Sequence, residues 1–440
     1  MKTLISLMVM FLSFSTIAQL NIVAVGEAEL ELSKVEVAKP ILQGGVTGSY
    51  ISDASTIMDV VRNDFSFYIK KFSVKKDLSS IGEGSLSYSS FKSQGVSYVV
   101  RGFFRQDNSG LKVTLSAHDI SKGESIAERE YTFTGNNPRG LAHKFAQVAF
   151  ESITGEKSIF NSKMIFVSDR HGTRKNPVKE LYMMDFDGGN KKRLTRHGGT
   201  VISPAVSHDG TKVLYSLIES GNSKHRNINL RVYDLETGRN SLVSNRSGLN
   251  SGAVFMPGGE SIMLTLSHVG NAEIFIMNLK TKALTRLTNS YSPDVDPSIN
   301  TDGSIMTFLS GRAGKPMIYT LDMASKKVKR ISYVGKFNAT PRFAPDGKTI
   351  AFSSWLDSRF DIFRIDSDGN NLARLTKDFG SNEDPTYSND GQFIAFSSQR
   401  VLSRTRAVQN IYIMDNDGDI IGSITENFGN CTTPRWTKSL

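Results

Sequence analysis

One phrase recurs along the C-terminal two thirds of the chain, and its period limits the possible folds. Each copy has a proline, a short apolar stretch and an Asp-Gly pair, then two apolar runs and Arg-Leu-Thr or a similar triplet. The clearest copies begin at Pro297, Pro341 and Pro385, 44 residues apart in both steps (297 to 341 and 341 to 385). A fixed period in this range is typical of propeller blades, small four-stranded sheets that bury their faces only against neighbours.

The fourth copy shows how one blade is built. Its Asp346-Gly347 pair tolerates positive φ and predicts a tight turn between antiparallel strands. We expect the innermost strand at 341–343, the second at 349–354, the third at 361–366 and the outer strand at 373–376.

Counting the first residue of each copy predicts the number of blades. We call these six positions the repeat-start residues: Pro204, Ala253, Pro297, Pro341, Pro385 and Pro434. The last one has no second, third or fourth strand after it, whereas the runs 163–169, 181–185 and 192–195 have no innermost strand before them. The C-terminus should therefore complete the blade that these runs begin, which hides the sheet edges. The prediction is a mainly β protein, a six-bladed β-propeller closed by its C-terminal strand and preceded by a small α/β domain.

The first part of the chain lacks the repeat. Lys2 precedes an apolar run from Leu4 to Phe14, and small residues end at Ala18, so residues 1–18 are interpreted as a secretory signal peptide. A membrane anchor is disfavoured because it needs about 20 apolar residues. Residues 19–157 are then an N-terminal α/β domain and residues 158–440 the propeller. Cys431 is the single cysteine, so no disulfide framework is expected.

Within the α/β domain the periodicities predict particular elements. Runs 20–25 and 28–37 alternate like strands, and 107–110 (Asp-Asn-Ser-Gly) predicts a hairpin turn. Asp53 is expected to cap a first helix. A second helix should begin at Pro138 and end at Gly155.

The net charge of +10 fits nucleic acid, an anionic surface or an acidic partner. The predicted export and the scattered basic residues argue against nucleic acid as a partner. The basic run 191–193 is interpreted as a solvated edge strand.

Strand polarity places the Asp-Gly turns on one face of the ring and the residues before the repeat-start residues on the other. On that second face the central opening is expected to be lined by Ser203, Gly252, Val295, Asp296, Ala339, Thr340, Glu383, Asp384, Thr432 and Thr433. Loops held by a rigid ring commonly carry recognition.

Propellers also serve enzymes, so catalytic patterns were sought. No serine has the Gly-x-Ser-x-Gly context, no two of the seven histidines are four residues apart, and Gly347-Lys348-Thr349 lacks the first glycine of a phosphate loop. Asp296, Glu383 and Asp384 are compatible with an acid pair for glycoside chemistry, although receiving a basic partner group or a cation is favoured. We predict no enzyme and no cofactor, and leave a metal in the channel open.

The predicted signal peptide is followed by the small mixed domain, the six repeats and the ending 434–440 (Pro-Arg-Trp-Thr-Lys-Ser-Leu). Together these features resemble the TolB family of the Tol-Pal system over the whole chain. The resemblance implies a periplasmic adaptor. It would bind the peptidoglycan-associated lipoprotein Pal through the propeller mouth, associate peripherally with the outer membrane through Pal, and contact TolA. Its role would be to support outer-membrane invagination during cell division and outer-membrane integrity.

The resemblance also implies site residues. The Pal-binding candidates are Asn250, Val295, Asp296, Thr340, Glu383, Asp384 and Thr433, and the TolA-binding candidates are Gln19, Leu20, Asn21, Ile22, Val23 and Ala24. Two stretches depart from the family pattern, the N-terminal segment and 249–253 (Leu-Asn-Ser-Gly-Ala). The alternative is an exported propeller hydrolase or lyase acting on a polysaccharide or peptide.

Overall fold

A computed structural model describes residues 31–173, 175–219 and 227–438. The predicted signal at 1–18, the strand expected at 20–25 and the TolA-binding candidates at 19–24 lie outside these residues. Within the described ranges, no helix combines the length and apolar character needed to cross a bilayer.

The N-terminal region is a mixed sheet covered by helices. The sheet has the order β3-β1-β4-β5-β6, with β2 paired to β4. Its strands are β1 (Ser33–Val37), β2 (Ile41–Gln43), β3 (Phe72–Val74), β4 (Tyr98–Asp107), β5 (Gly110–Asp119) and β6 (Glu124–Phe133), and the helices are α1 (Ser49–Phe67), α2 (Tyr88–Ser93) and α3 (Pro138–Thr154). The hairpin expected at 107–110 is the β4–β5 turn.

One helix cap was predicted wrongly and the other correctly. Helix α1 begins at Ser49, with Gly48 in the capping position and no side-chain cap, so Asp53 lies inside the helix. The reason is that Tyr50 packs on the core and extends the apolar stripe by one turn. Helix α3 begins at Pro138, where Asn137 accepts from the Gly140 N–H, and ends at Gly155 with φ 74°.

The rest of the described chain forms six four-stranded antiparallel sheets. Blade 6 consists of β30, β7, β8 and β9, and the other five blades each use four consecutive strands. The first three strands of the ring are β7 (Lys163–Ser168), β8 (Glu180–Asp185) and β9 (Lys192–Arg193). Blade 1 is β10 (Thr200–Val206), β11 (Lys212–Ile218), β12 (Ile228–Asp234) and β13 (Asn240–Ser244), and blade 2 is β14 (Asn250–Phe255), β15 (Ser261–Leu266), β16 (Glu273–Asn278) and β17 (Leu284–Arg286).

Blades 3 to 5 complete the series. Blade 3 is β18 (Asp294–Ile299), β19 (Ile305–Ser310), β20 (Met317–Asp322) and β21 (Val328–Arg330), and blade 4 is β22 (Asn338–Phe343), β23 (Thr349–Leu356), β24 (Arg359–Asp366) and β25 (Ala373–Arg374). Blade 5 is β26 (Ser381–Tyr387), β27 (Phe393–Ser403), β28 (Arg406–Asp415) and β29 (Ile420–Ser423), and its middle strands are the longest of the ring.

The C-terminal strand closes the ring as predicted. β30 (Cys431–Trp436) pairs antiparallel with β7, with Cys431 opposite Ser168 and Trp436 opposite Met164. The indole Nε1 of the buried Trp436 donates to Ser162 Oγ at 2.7 Å. The predicted fold class, a closed six-bladed propeller after a small α/β region, is confirmed.

Helices α1 and α3 contact the ring on the face of the Asp-Gly turns. Tyr68, just past α1, has its ring edge on to Phe393 at 4.9 Å and donates its hydroxyl to Asp390 at 3.0 Å. A buried polar cluster lies nearby, in which His143 contacts Asp64 at 2.8 Å and Asp185 of β8 at 3.6 Å. The α/β region therefore covers one face of the ring, and none of its described residues lines the cavity on the opposite face.

Candidate functional site at the propeller mouth

Each innermost strand is irregular at the same place. The ladder to the second strand shifts register at the residue before the repeat-start residue in all six blades. That residue has a left-handed φ between 49° and 59° in every blade: Ser203, Gly252, Asp296, Thr340, Asp384 and Thr433. The conformation costs a non-glycine residue on the order of 1–3 kcal/mol, and strain of this kind clusters at functional sites. The mouth is thus bordered by a ring of bulges that turn the backbone at equivalent positions.

These bulges surround a cavity of about 330 Å³ in the centre of the ring. Five of the seven Pal-binding candidates line this cavity: Val295, Asp296, Thr340, Asp384 and Thr433. The cavity also contains Ser203 and Gly252, which were expected at the opening. The structure therefore brings residues from all six blades together around one cavity.

The other two candidates lie outside this lining. Asn250 is fully buried, and its amide nitrogen donates to the carbonyl oxygens of Ile228 and Arg246 at 2.9 Å and 2.6 Å. Its side chain holds the loop before β14. Glu383 is half-buried beside Asp384 and is not part of the cavity wall. Burial, followed by the charge of Asp384, raises the pKa of Glu383 to about 7.

Two arginines in the wall were missed by the sequence reasoning. Arg342 and Arg435 each follow a repeat-start proline, and each donates to the carbonyl oxygen of that proline, at 2.7 Å and 2.6 Å. Arg342 also donates through Nη2 to Asp296 Oδ1 of the neighbouring blade at 2.9 Å. The signal was present in the repeat, because the position directly after the repeat-start residue lies on the innermost strand in every blade.

The charges of the mouth are only partly neutralised. Burial raises the pKa of Asp384, and the positive charge of Arg435 reduces this rise. Burial, and then the charge of Arg342, lowers the pKa of Arg435 to about 10. No hydrogen bond joins Arg435 to Asp384 among the described residues, and the Thr265 and Thr433 hydroxyls are buried without a partner. Unpaired buried polar groups are costly, so the mouth is suited to receive polar groups from another molecule.

The wall of this cavity contains neither histidine nor cysteine. In the described part of the chain, Asp64, His143 and Asp187 place one possible ligand atom each within 4.8 Å of one another, on the α/β side of the ring. Those carboxylates already pair with His143 and Arg139. The mouth thus has the features of a binding surface formed from charged and hydroxyl groups.

Comparisons with known proteins agree with this architecture. The family profile described as the TolB beta propeller domain matches residues 150–400. A protein TolB homolog of Chlorobium luteolum is 28% identical over 53% of this chain and 51% of its own length, and one of Chlorobium chlorochromatii is 30% identical over 47% and 44%. The chain therefore matches about half the length of these relatives.

A solved structure extends the likeness. The crystal structure of TolB from Acinetobacter baumannii superposes with a TM-score of 0.77 at 25% identity, covering 92% of this chain and 96% of that one. Its coverage includes the small α/β region as well as the ring. On the strength of the family match over more than half its length, the chain belongs to the TolB β-propeller family.

Proposed function

We propose that this protein is a non-catalytic periplasmic adaptor of the Tol-Pal system, which binds the lipoprotein Pal in the propeller mouth and TolA through its N-terminal segment. Residues 1–18 would be the export signal, residues 19–157 the α/β domain and residues 158–440 the propeller. The adaptor would associate with the outer membrane only through Pal. In this role it supports outer-membrane invagination during division and outer-membrane integrity.

The observation that carries the proposal is the membership of the TolB family together with the ring of bulges around one charged cavity. The Pal-binding candidates are the five wall residues, with Asn250 acting by holding the β14 loop and Glu383 at the rim. A partner that pairs with Asp384 and Arg435 would compensate for the burial of both charges, because opposite charges meet in a water-poor site.

The test is a capture experiment from envelope extract of the same bacterium. Wild type and a variant with Asp296, Glu383 and Asp384 changed to alanine are compared as bait, and bound proteins are identified by mass spectrometry. Pal bound by wild type and lost from the variant is the expected result. Turnover of a cell-wall fragment that is lost in the variant, with no Pal captured, would instead support an exported hydrolase or lyase.

The second contact is tested separately. Deletion of residues 19–24, which covers Gln19, Leu20, Asn21, Ile22, Val23 and Ala24, should abolish binding of purified TolA and preserve binding of Pal. Backbone N–H and carbonyl groups can pair with the edge of a partner sheet, and we propose this mode for the contact. Unchanged TolA binding after the deletion would refute the assignment.

A further inference from the structure

Blade 5 carries a hairpin that extends beyond its blade on the mouth face. Strands β27 and β28 pair from Phe393 opposite Asp415 to Ser403 opposite Arg406. The outer strand β29 covers only Tyr412 to Met414. Val401 and Leu402 near the tip are 76% and 56% exposed. The hairpin therefore presents an uncovered sheet surface outside the central cavity.

A groove of about 650 Å³ runs between this hairpin and the loop before β30. Its wall is formed by one side of the hairpin and by the loop from Glu426 to Asn430, and its charged members are Arg400, Arg406 and Glu426. The exposed Arg404 stands at the tip. The surroundings of the groove are thus net positive.

The outer edge of β28 has no strand beside it before Tyr412, within the part of the chain that the structure describes. The Gln409 N–H on this edge donates at 3.0 Å to the Asn430 side chain across the groove. Strand alternation directs the N–H and carbonyl of Ala407 to the same side. The N–H and the carbonyl of Ile411 are likewise bonded, to the segment that follows β29. The free part of the edge is therefore the stretch around Ala407, nearer the tip. A free edge of this kind accepts an extended peptide as an additional strand.

Arg400 in the groove wall is held in place but unpaired. Its guanidinium carbon lies 4.0 Å from the ring centre of Phe379 and 5.6 Å from that of Tyr412. Its Nη1 is buried without a hydrogen-bond partner among the described residues. Stacking fixes the plane of the guanidinium, which then offers a fork of donors that matches a carboxylate.

In blade 3 the corresponding arginine has a carboxylate partner, which Arg400 lacks among the described residues. The equivalent Arg312 stacks on Phe308 and Tyr319 and donates through Nη2 to Asp294 Oδ2 at 2.6 Å. Asp294 faces Ser310 in the ladder, and in blade 5 the same register position opposite Ser398 holds Asn382. The amide of Asn382 is turned toward blade 4, where it donates to Asp361 at 3.2 Å.

We propose that this groove binds an extended acidic peptide segment of a partner protein, which adds as a strand to the free edge of β28 and places one carboxylate on Arg400. The incoming carboxylate replaces the internal one that Asp294 supplies in blade 3. Flanking apolar side chains of the peptide lie against Leu402 and Val408, two further residues of the groove wall. This site is separate from the mouth and does not depend on the proposed binding of Pal.

The experiment uses a pool of fluorescein-labelled nine-residue peptides with glutamate at the centre and threonine or valine elsewhere, titrated against the full chain by fluorescence anisotropy. A matched pool has glutamine at the centre. Because a hydrogen bond to a charged group is stronger than one to a neutral amide, the glutamate pool should bind at least about tenfold more tightly. Methylation of alternate peptide nitrogens should abolish binding, since it removes the donors to the strand edge.

Variants assign the effect. Arg400→Gln should erase the difference between the pools, whereas Arg404→Gln, an exposed charge-matched control, should retain it, with circular dichroism melts showing that both fold. Asn410→Asp places a carboxylate in the groove wall and should weaken binding of the glutamate pool. The proposal is overturned if wild type shows no saturable binding, if both pools bind equally, or if Arg400→Gln changes nothing. Arg404-dependent sedimentation with phosphatidylglycerol vesicles, without peptide binding, would also overturn it.

Discussion

The two faces of the ring differ in how completely their charged groups are paired within the protein. On the α/β side, Asp185 is satisfied within the protein by Lys163 at 2.6 Å, by Asn190 at 2.8 Å and by Arg139 at 3.4 Å. On the mouth side, Asp384 and Arg435 share a cavity without a direct hydrogen bond in the described structure. The face covered by the α/β region uses charge to join two parts of one chain, whereas at the mouth we propose that this charge serves a binding partner.

The largest expected effect concerns the face covered by the α/β region. Asp185→Asn leaves Lys163, Arg139 and the buried His143 without their shared carboxylate, so the free energy of unfolding should fall by about 3–5 kcal/mol in urea titrations. Asp378→Asn is the control, because the Asp378 carboxylate is 73% exposed and its pair with Arg359 should contribute at most about 1 kcal/mol. Equal losses in the two variants would show that the face covered by the α/β region does not depend on the buried network.

The next effect is a pH dependence at the mouth. In the folded protein the pKa of Glu383 is raised to about 7 from its ordinary value of 4.5, so folding favours the protonated acid. Between these values the unfolded chain has lost the proton and the folded chain retains it, and the unfolding free energy falls as the pH rises. The Glu383→Gln variant has no such titration. Its free energy of unfolding should therefore exceed that of wild type by on the order of 2 kcal/mol at pH 8 and by little at pH 4.

Unfolding titrations of both proteins at pH 4, 6 and 8 measure this difference. A gap that is constant across the three values would mean that Glu383 is not desolvated at the rim.

The smallest effect concerns strain in the bulges. Thr433 has φ 49° and a buried hydroxyl without a partner, so Thr433→Gly should raise the free energy of unfolding by about 1 kcal/mol while weakening partner binding. Thr432→Gly is the matched control. Thr432 lies in the ladder opposite Val167, where glycine should cost about 0.5–1 kcal/mol. Destabilisation by both changes would contradict the view that the mouth stores strain.

Much of the fold follows from local chemistry. The 44-residue period, the Asp-Gly turns and the incomplete first and last repeats were enough to predict six blades and their closure by β30. The short strands β2 and β3 and helix α2 were not predicted, because pieces of three to six residues carry no clear periodicity. The cap at Asp53 was predicted wrongly because a residue with good capping propensity can also lie inside a helix. Here Tyr50 packs on the core, and the helix begins before Asp53.

For the site, strand direction predicted which residues lie at the opening of the ring, but not how their side chains are buried or paired. Polarity alone placed Asp296, Thr340 and Asp384 at the opening, where the structure has them. The burial of Asn250 depends on how its amide folds back on the β12 backbone, which spacing does not encode. Blade 5 has Asn382 at the register position where blade 3 has the carboxylate of Asp294, and this difference depends on the strand pairing of the two blades.

The most direct test of the account is calorimetric titration of purified Pal from the same bacterium into wild type, Asp384→Asn and the control Asp378→Asn. Removing one partner of a buried charge pair costs about 2–5 kcal/mol in a complex, so Asp384→Asn should bind Pal at least about tenfold more weakly. Asp378→Asn should match wild type. Pal that binds all three proteins alike, or none of them, would contradict the assignment of the mouth as its binding site.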